Sequence, residues 1–599
     1  MCGITGYINF KQNFTKDPEG NRRLVHTMAQ TIRHRGPDEW DEWVSEHAVF
    51  ANNRLAVIDI KGGKQPTKRT VAGYDFTITY SGELYNAAEL RKELQNYGYD
   101  FSTKSDTEVL LYAYVHYGPA CAAKLNGMFA FCIWDTMRQQ AFLCRDRFGM
   151  KPLFYCQTGD TFIFGSELKA LLTHPDVHAE IDKEGLCELF AMAPARTPGT
   201  GVFKNIRELR PAKYMILRRD STRVQTYWSL KNAEHTDSYD ETVLTVRALM
   251  CDSIQRQLVS DIPVATLLSG GMGCNIVTAA AARTMHSQKQ QLSTYSFRYT
   301  DCGACPVPED NISLPQQMSE HFKTRHTALE CGSHALTELL KTALLHRDFP
   351  GIADLDAALL YFSHEIKKHH TVLLSGEGVD AFLGIPAPEA ANAFESIGFP
   401  NRQDLFLRSS MLKEEVANTL DLNAYTKMRY DQSVAEAPAF DKDTPEDARQ
   451  REFSYLRMNW LLSGILERND RMSMAAGLEI RFPFCDHRLV EYAWNIPAKM
   501  KTALLHDAAD PLFPGCIPCR QKSPSRKIHC PQYDSALKAL FLDTISDPNQ
   551  PLLAFADQKK LIDLCNAPFD DGLTLSCSQF IGYLLQLNDW FNQYHVRIV

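Results

Sequence analysis

The sequence predicts two unlike domains in tandem: an α+β domain of stacked antiparallel sheets, then a doubly wound α/β domain carrying extra helices. Three observations point there. At 599 residues the chain is too long for one core. Its first 210 residues read as short strands joined by Gly- and Asn-bearing turns, with occasional helices. From about residue 241 the texture becomes strand, Gly-rich turn and helix, at the spacing of a parallel sheet.

The first domain opens with Met1-Cys2-Gly3-Ile4-Thr5-Gly6. Methionine is trimmed before a small residue, which would leave Cys2 with a thiol and a free α-amine on one carbon. An α-amine titrates near pH ~8, low enough to act as the base for an N-terminal nucleophile that forms a covalent acyl-enzyme. The plain alternative is that Cys2 is one of 17 cysteines and merely sits second. Met128–Asp135 and Gln140–Cys144 are apolar runs of strand length, and Asp106–Gly118 carries a helical pattern. A polar, punctuated stretch follows, Arg196-Thr197-Pro198-Gly199-Thr200-Gly201 and then Arg218-Arg219-Asp220-Ser221. It divides the chain into a domain at 1–210, a linker at 211–240 and a second domain at 241–599.

The second domain starts with a helical pattern over Glu241–Leu258 and a strand over Pro263–Leu268. The turn Ser269-Gly270-Gly271-Met272-Gly273-Cys274 then leads into an alanine-rich helix over Ile276–Met285. Strand, Gly-rich turn and helix together aim backbone N–H groups at a phosphate. Further strands are expected at Thr294–Tyr299 and Thr371–Leu374, the latter ending in Ser375-Gly376-Glu377-Gly378-Val379-Asp380. Beyond about 400 the pattern is mostly helical.

Composition removes several classes of function. A net charge of −8 and a pI near 6.2 favour neither nucleic acid nor anionic membrane as partner. No apolar run reaches the roughly 18 residues of a membrane span, and no signal peptide is evident. Cys302/Cys305 and Cys516/Cys519 lack a second pair at zinc-finger spacing. An odd cysteine count and no leader predict the reducing cytoplasm, and no metal site is expected.

In their order, the motifs resemble the glutamine-dependent asparagine synthetases, particularly the bacterial ones. The first domain contributes Cys2-Gly3, Arg33-His34-Arg35-Gly36-Pro37-Asp38, Asn53–Asp59, Gly82-Glu83-Leu84-Tyr85-Asn86, Ser105-Asp106-Thr107-Glu108, Arg145–Gly149 and Gly165–Lys169. The second contributes the Ser269 loop, Ser375-Gly376-Glu377-Gly378, Asp470–Met474 and Leu478-Glu479-Ile480-Arg481. The resemblance implies an N-terminal-nucleophile glutaminase domain and an ATP-pyrophosphatase-like acceptor domain. It implies that Cys2 attacks the glutamine side-chain amide, that the Gly82 N–H and Ser81 serve the oxyanion, and that Arg54, Gly82, Glu83 and Asp106 bind glutamine. The nucleotide site it implies comprises Leu268, Ser269, Gly270, Gly271, Phe297, Ser375, Gly376, Glu377 and Asp380. Ammonia would pass to that domain, where the family's members adenylate a carboxylate with ATP and magnesium.

The chain departs from the family at groups that matter. Ser81 replaces an asparagine that supplies the second oxyanion donor. Gly273 stands for an aspartate in the Ser269 loop, with Cys274 and Asn275 for two hydroxyls, and Ala381 for one of an acidic pair after Glu377. Alignment back from Arg520–Pro524 puts Thr502 where the family has a lysine, with Lys501 one step away. Three readings follow. The first is a glutamine amidotransferase whose acyl acceptor arrives already activated, as a coenzyme A or carrier-protein thioester of specialised metabolism. The second is an ATP-dependent asparagine synthetase with substituted ligands, and the third a pseudoenzyme that binds a partner. A homodimer stays open.

Overall fold

The computed structural model describes residues 2–300, 309–383, 399, 402–512, 530–566 and 576–599. The cysteine pairs 302/305 and 516/519 and the segment 520–524 lie outside these. The first domain runs β1 (Cys2–Ile8), β2 (Glu39–Val44), β3 (Ala48–Arg54), β4 (Thr67–Val71), β5 (Tyr74–Leu84), β6 (Gly127–Asp135) and β7 (Gln140–Arg145). It continues through β8 (Phe154–Thr158), β9 (Thr161–Gly165), β10 (Glu180–Ile181), β11 (Ile206–Glu208), β12 (Lys213–Arg218) and β13 (Ser221–Thr226). Two six-stranded antiparallel sheets result, ordered β11-β8-β9-β1-β3-β2 and β13-β12-β7-β6-β5-β4.

Strand alternation explains why they stack. Ile4, Ile8, Phe50 and Phe164 from the first sheet meet Ala130, Cys132, Leu143 and Met215 from the second, all buried. The helix Asp106–Tyr117 covers the outer face of the second sheet, capped at its start by Ser105 and stopped at Gly118 (φ 59°), where glycine takes the positive φ without strain. Strands β12 and β13 correct the expected boundary. They fall inside the 211–240 segment assigned as linker, yet they continue the second sheet through pairing of β12 with β7. Arg218-Arg219-Asp220-Ser221 is the turn of that hairpin, not an interdomain connection.

The second domain begins with the helix Tyr239–Gln257, whose Ser238 and Glu241 form a reciprocal capping box. Its sheet holds β14 (Val264–Leu267), β15 (Ser293–Tyr299), β16 (Arg325–Cys331), β17 (Val372–Leu374) and β18 (Glu479–Arg481). All are parallel, in the order β16-β15-β14-β17-β18. Sequence order therefore reverses between β14 and β17, and the crevice beyond that switch point is where a doubly wound sheet holds its ligand. The Ser269 and Ser375 loops leave those two strands. β16 and β18 escaped the sequence reading; β18 is three residues long within a helical region.

The domains are locked together. Asp470 of the helix Ser463–Ala475 pairs with Lys151 at 2.8 Å and with Arg35 at 2.9 Å, all three buried. Its neighbour Arg471 lies 3.3 Å from Glu167, itself 2.9 Å from Arg35. The C-terminal β19 (Arg597–Ile598) returns to pair with β10 of the first domain. Among the described residues, no helix is long and apolar enough to cross a membrane.

Candidate functional site

The first site sits at the end of β1. Register pairs Cys2 with Arg54 on β3, placing both at the same end of two neighbouring interior strands. Cys2 is 5% exposed. Burial pushes its thiol up; the chain's amino terminus, the Leu55 backbone N–H and Arg54 oppose that. The thiol is therefore protonated at rest and requires a base, which the α-amine of a trimmed chain would supply on the same carbon. Gln65 turns its Nε2 toward the sulfur at 3.8 Å, its Oε1 fixed by the Tyr80 N–H (2.8 Å) and Asn52 Nδ2 (3.2 Å). Sequence reasoning passed over Gln65; its one signal was the Gly62-Gly63-Lys64-Gln65-Pro66 turn before β4.

Ser81 departs from the expected role. Its hydroxyl donates to the carbonyl of Cys2 at 2.7 Å, because β5 crosses beneath β1 there. A hydroxyl spent on the nucleophile's own peptide holds Cys2 in place and is not free to meet an oxyanion. Gly82 allows no other residue, since a Cβ there would fall 2.2 Å from the Met128 carbonyl. Arg54 is more occupied than a vacant carboxylate clamp. It donates to the backbone carbonyls of Ile58 (3.2 Å), Asp59 (2.7 Å) and Ile60 (2.9 Å), and to the Glu39 carboxylate at 2.7 Å.

The acidic side of this site is assembled from both domains. Asp106 opens its helix, and its Oδ2 accepts from the Leu84 N–H and the Tyr80 hydroxyl, each at 3.0 Å. Burial raises its carboxyl despite those donors. Glu83 is pushed well up by burial, then by Glu479 and Asp106, with Arg481 opposing from 4.0 Å. Arg481 pairs with Glu479 at 2.6 Å, and its carbonyl accepts from the Ser375 N–H at 2.9 Å. The structure thus gathers Cys2, Arg54, Glu83 and Asp106 into one electrostatic cluster and sets it one residue from the second domain's Ser375 loop.

At the switch point the two glycine loops touch backbone to backbone. A Cβ on Gly273 would lie 2.3 Å from the Gly376 carbonyl, and one on Gly376 would lie 2.2 Å from the Cys274 nitrogen. Leu268 is fully buried and donates to the Tyr295 carbonyl at 2.7 Å. Asn275 donates to the Gly270 carbonyl at 3.4 Å, Glu377 is half-buried and Asp380 is exposed. The Phe297 ring stacks flat on Phe362, centroids 4.1 Å apart. Ser269, Gly270 and Gly271 still present the start of the helix Met272–Ser287. Magnesium needs hard oxygen ligands in near-octahedral array; Gly273 and Ala381 offer none, a Cβ at 273 would meet the Gly376 carbonyl, and Glu377 and Asp380 are the carboxylates that remain in the Ser375 loop. Thr502 is exposed, and Lys501 is buried, its ammonium 3.5 Å from the Phe382 carbonyl. Asp470 and Arg471 belong to the domain interface described above.

Comparisons with known proteins agree with this division. Residues 1–228 match a family model described as a glutamine amidotransferase domain, and residues 245–592 one described as asparagine synthase. The chain is 40% identical, over all of both chains, to asparagine synthetase (glutamine-hydrolysing) 3 of Bacillus subtilis (strain 168). To asparagine synthetase (glutamine-hydrolysing) 1 of the same organism it is 30% identical, over 87% of this chain and 86% of that one.

Proposed function

The chain belongs to the glutamine-hydrolysing asparagine synthetase family, and from that premise we propose that it moves ammonia from glutamine to an acyl acceptor that is already activated. It is a carbon–nitrogen ligase of the amidotransferase type. Cys2, deprotonated by its own α-amine, attacks the glutamine carboxamide carbon. The C–N bond breaks, ammonia leaves with the amine's proton, and water cleaves the resulting thioester to glutamate. Asp106 and Glu83 face the glutamine ammonium and Arg54 its carboxylate. In the second domain ammonia attacks a thioester of coenzyme A or of a carrier protein, forming the amide and releasing the thiol.

The observation that carries this reading is the contact between Gly273 and Gly376, which leaves no space for a side chain at position 273. The test is product mass after incubation with amide-labelled glutamine and a panel of acyl thioesters, without ATP. Labelled amide is the expected result. Labelled asparagine, formed only with aspartate, ATP and magnesium and accompanied by pyrophosphate, would establish the second reading instead, which the 40% identity over full length favours.

Two variants probe the sites separately. In Gly273→Asp the new side chain meets the Gly376 carbonyl, and overpacking of this kind costs about 1–3 kcal/mol. Thermal unfolding should fall accordingly and calorimetry should find no magnesium-dependent ATP binding; such binding would mean that the Gly376 loop yields. Glu39→Gln acts on the glutamine site. Its carboxylate, 41% exposed, competes for the buried Arg54, and solvent at the Glu39 side keeps the pair near the about 0.2–1 kcal/mol of surface ion pairs. The KM for glutamine should drop by about 1.5- to 5-fold with kcat unchanged; a higher KM would give Glu39 a supporting role.

A further inference from the structure

Hydrolysis of glutamine puts negative charge on the carboxamide oxygen, and the groups described above leave that charge short of donors. Ser81 spends its hydroxyl on the Cys2 carbonyl, and the Arg54 guanidinium is held by Glu39 and three backbone carbonyls. Gln65 faces the nucleophile with a donor to spare. It is 7% exposed, and its Nε2 lies 3.8 Å from the Cys2 sulfur. A carboxamide nitrogen carries two protons, and a thiol sulfur is a weak acceptor. Among the described residues that sulfur is the one hydrogen-bond partner of Nε2.

Neighbouring groups fix which end of the Gln65 amide points at Cys2. The Tyr80 N–H, which can only donate, reaches Oε1 at 2.8 Å. The Tyr80 carbonyl, which can only accept, takes Asn52 Nδ2 at 3.1 Å, and the same Nδ2 donates to Gln65 Oε1 at 3.2 Å. Turning the Gln65 amide over would set its NH2 against two donors, so Nε2 stays on the sulfur side. The backbone holds the residue there as well. Ile58, Asp59 and Ile60, whose carbonyls hold Arg54, lead into Gln65 through Gly62 and Gly63. A Cβ on Gly63 would lie 2.5 Å from Arg54 Nη2, so this loop runs close over the guanidinium. One loop therefore places both the arginine that meets the glutamine carboxylate and the amide that faces its reacting end.

We propose that the Gln65 carboxamide is a catalytic oxyanion donor in glutamine hydrolysis, a role that rests on Cys2 being the nucleophile. When the thiolate adds to the carboxamide carbon, the C=O π pair moves onto an oxygen two bonds from the sulfur. Nε2 donates an N–H to that oxygen, and donors of this kind work at about 2.7–3.1 Å from it. From 3.8 Å off the sulfur, Nε2 reaches such an atom with little movement of its side chain. As the pair returns to re-form C=O, the C–N bond breaks and ammonia leaves with a proton from the Cys2 α-ammonium. Gln65 ends the step unchanged. Its donor is aligned before glutamine binds, which is what makes a fixed dipole effective in a transition state.

The experiment compares correctly trimmed parent, Gln65→Met and Gln65→Glu proteins in two reactions of Cys2. Glutamine hydrolysis passes through an oxyanion. Alkylation by iodoacetamide displaces iodide at a saturated carbon and forms none. Gln65→Met should lower kcat for glutamine by about 100- to 1,000-fold with KM unchanged, and should alkylate as fast as the parent. A fall in kcat of less than about tenfold would overturn the proposal, since loss of such a donor costs more. Alkylation that slows in step with hydrolysis would overturn it too, by showing that Gln65 acts on the thiol itself. Gln65→Met strands the Tyr80 N–H, and Gln65→Glu guards against a variant that fails to fold. Glutamate keeps Oε1 and the shape but sets a second oxygen where the donor was. Its kcat should fall at least as far, with thermal unfolding closer to the parent's; a folded Gln65→Glu protein as active as the parent would refute the role. Failure of the premise looks different: hydrolysis that survives Cys2→Ala would overturn both readings together.

Discussion

Cys2→Ala lowers glutamine hydrolysis by on the order of 10⁶-fold, the scale on which loss of a covalent nucleophile acts in other hydrolases, while the fold survives. The sulfur is the sole group of this cluster able to form an acyl intermediate. Gln65 at 3.8 Å and Ser81, committed to the Cys2 carbonyl, orient it without reacting. Stability should change by no more than about 1 kcal/mol, because the substitution removes one atom near a chain end. The check is a coupled glutamate assay on correctly trimmed protein, with thermal unfolding in parallel. Amide formation supported by added ammonia should persist, because ammonia enters after the first step. Glutamine turnover that survives in trimmed Cys2→Ala protein would place the nucleophile elsewhere.

The glutaminase half was legible because its chemistry is local in sequence. A cysteine next to the initiator methionine, a Gly-Glu pair ending a strand and an aspartate opening a capped helix each announce themselves within a few residues. The strand, Gly-rich turn and helix at Ser269 could be read for the same reason, and β14 and β17 flank the switch point that this pattern implies. What the sequence hid is set by distance along the chain or by crowding. Nothing near Arg54 says that three backbone carbonyls and Glu39 already hold its guanidinium. Ser81 looks like a shortened oxyanion donor until β5 is laid beneath β1, where its hydroxyl meets a carbonyl instead. Gly273 reads as a lost carboxylate; only the packed loops show that the lost volume is filled by Gly376. The 211–240 segment looked like a linker because its charged turn hides a hairpin whose partner strand, β7, lies some seventy residues earlier.

The interface between the domains carries the second large effect. Asp470→Asn should destabilise the chain by about 3–5 kcal/mol, the usual consequence of removing one partner from a buried ion pair. Asp470 bridges Lys151 and Arg35, side chains from positions 319 and 435 residues away in the chain, and all are at most 1% exposed. Burial works to raise its carboxyl, yet Arg35 and Lys151 hold it down to about 2. Asparagine keeps the shape and loses the charge. Arg35 retains Glu167 at 2.9 Å, but Lys151 is left as an unpaired buried ammonium. The sign with pH follows from the depressed value. The unfolded carboxyl titrates near ~3.9, so its contribution is complete above about pH 5 and fades as pH falls toward 2. The gap between parent and variant should therefore be constant from pH 5 to 8 and close in acid. Denaturant unfolding at several pH values measures it, and a second substitution, Lys151→Met, should recover most of the loss by removing the stranded charge. A difference below about 1 kcal/mol at pH 7, or no recovery in the double variant, would mean that Asp470 does not bind the domains together. Because Arg35 also donates to the Cys2 carbonyl at 3.4 Å, the same variant should loosen the nucleophile. Glutamine hydrolysis by Asp470→Asn protein should fall together with its stability, although Asp470 touches neither substrate.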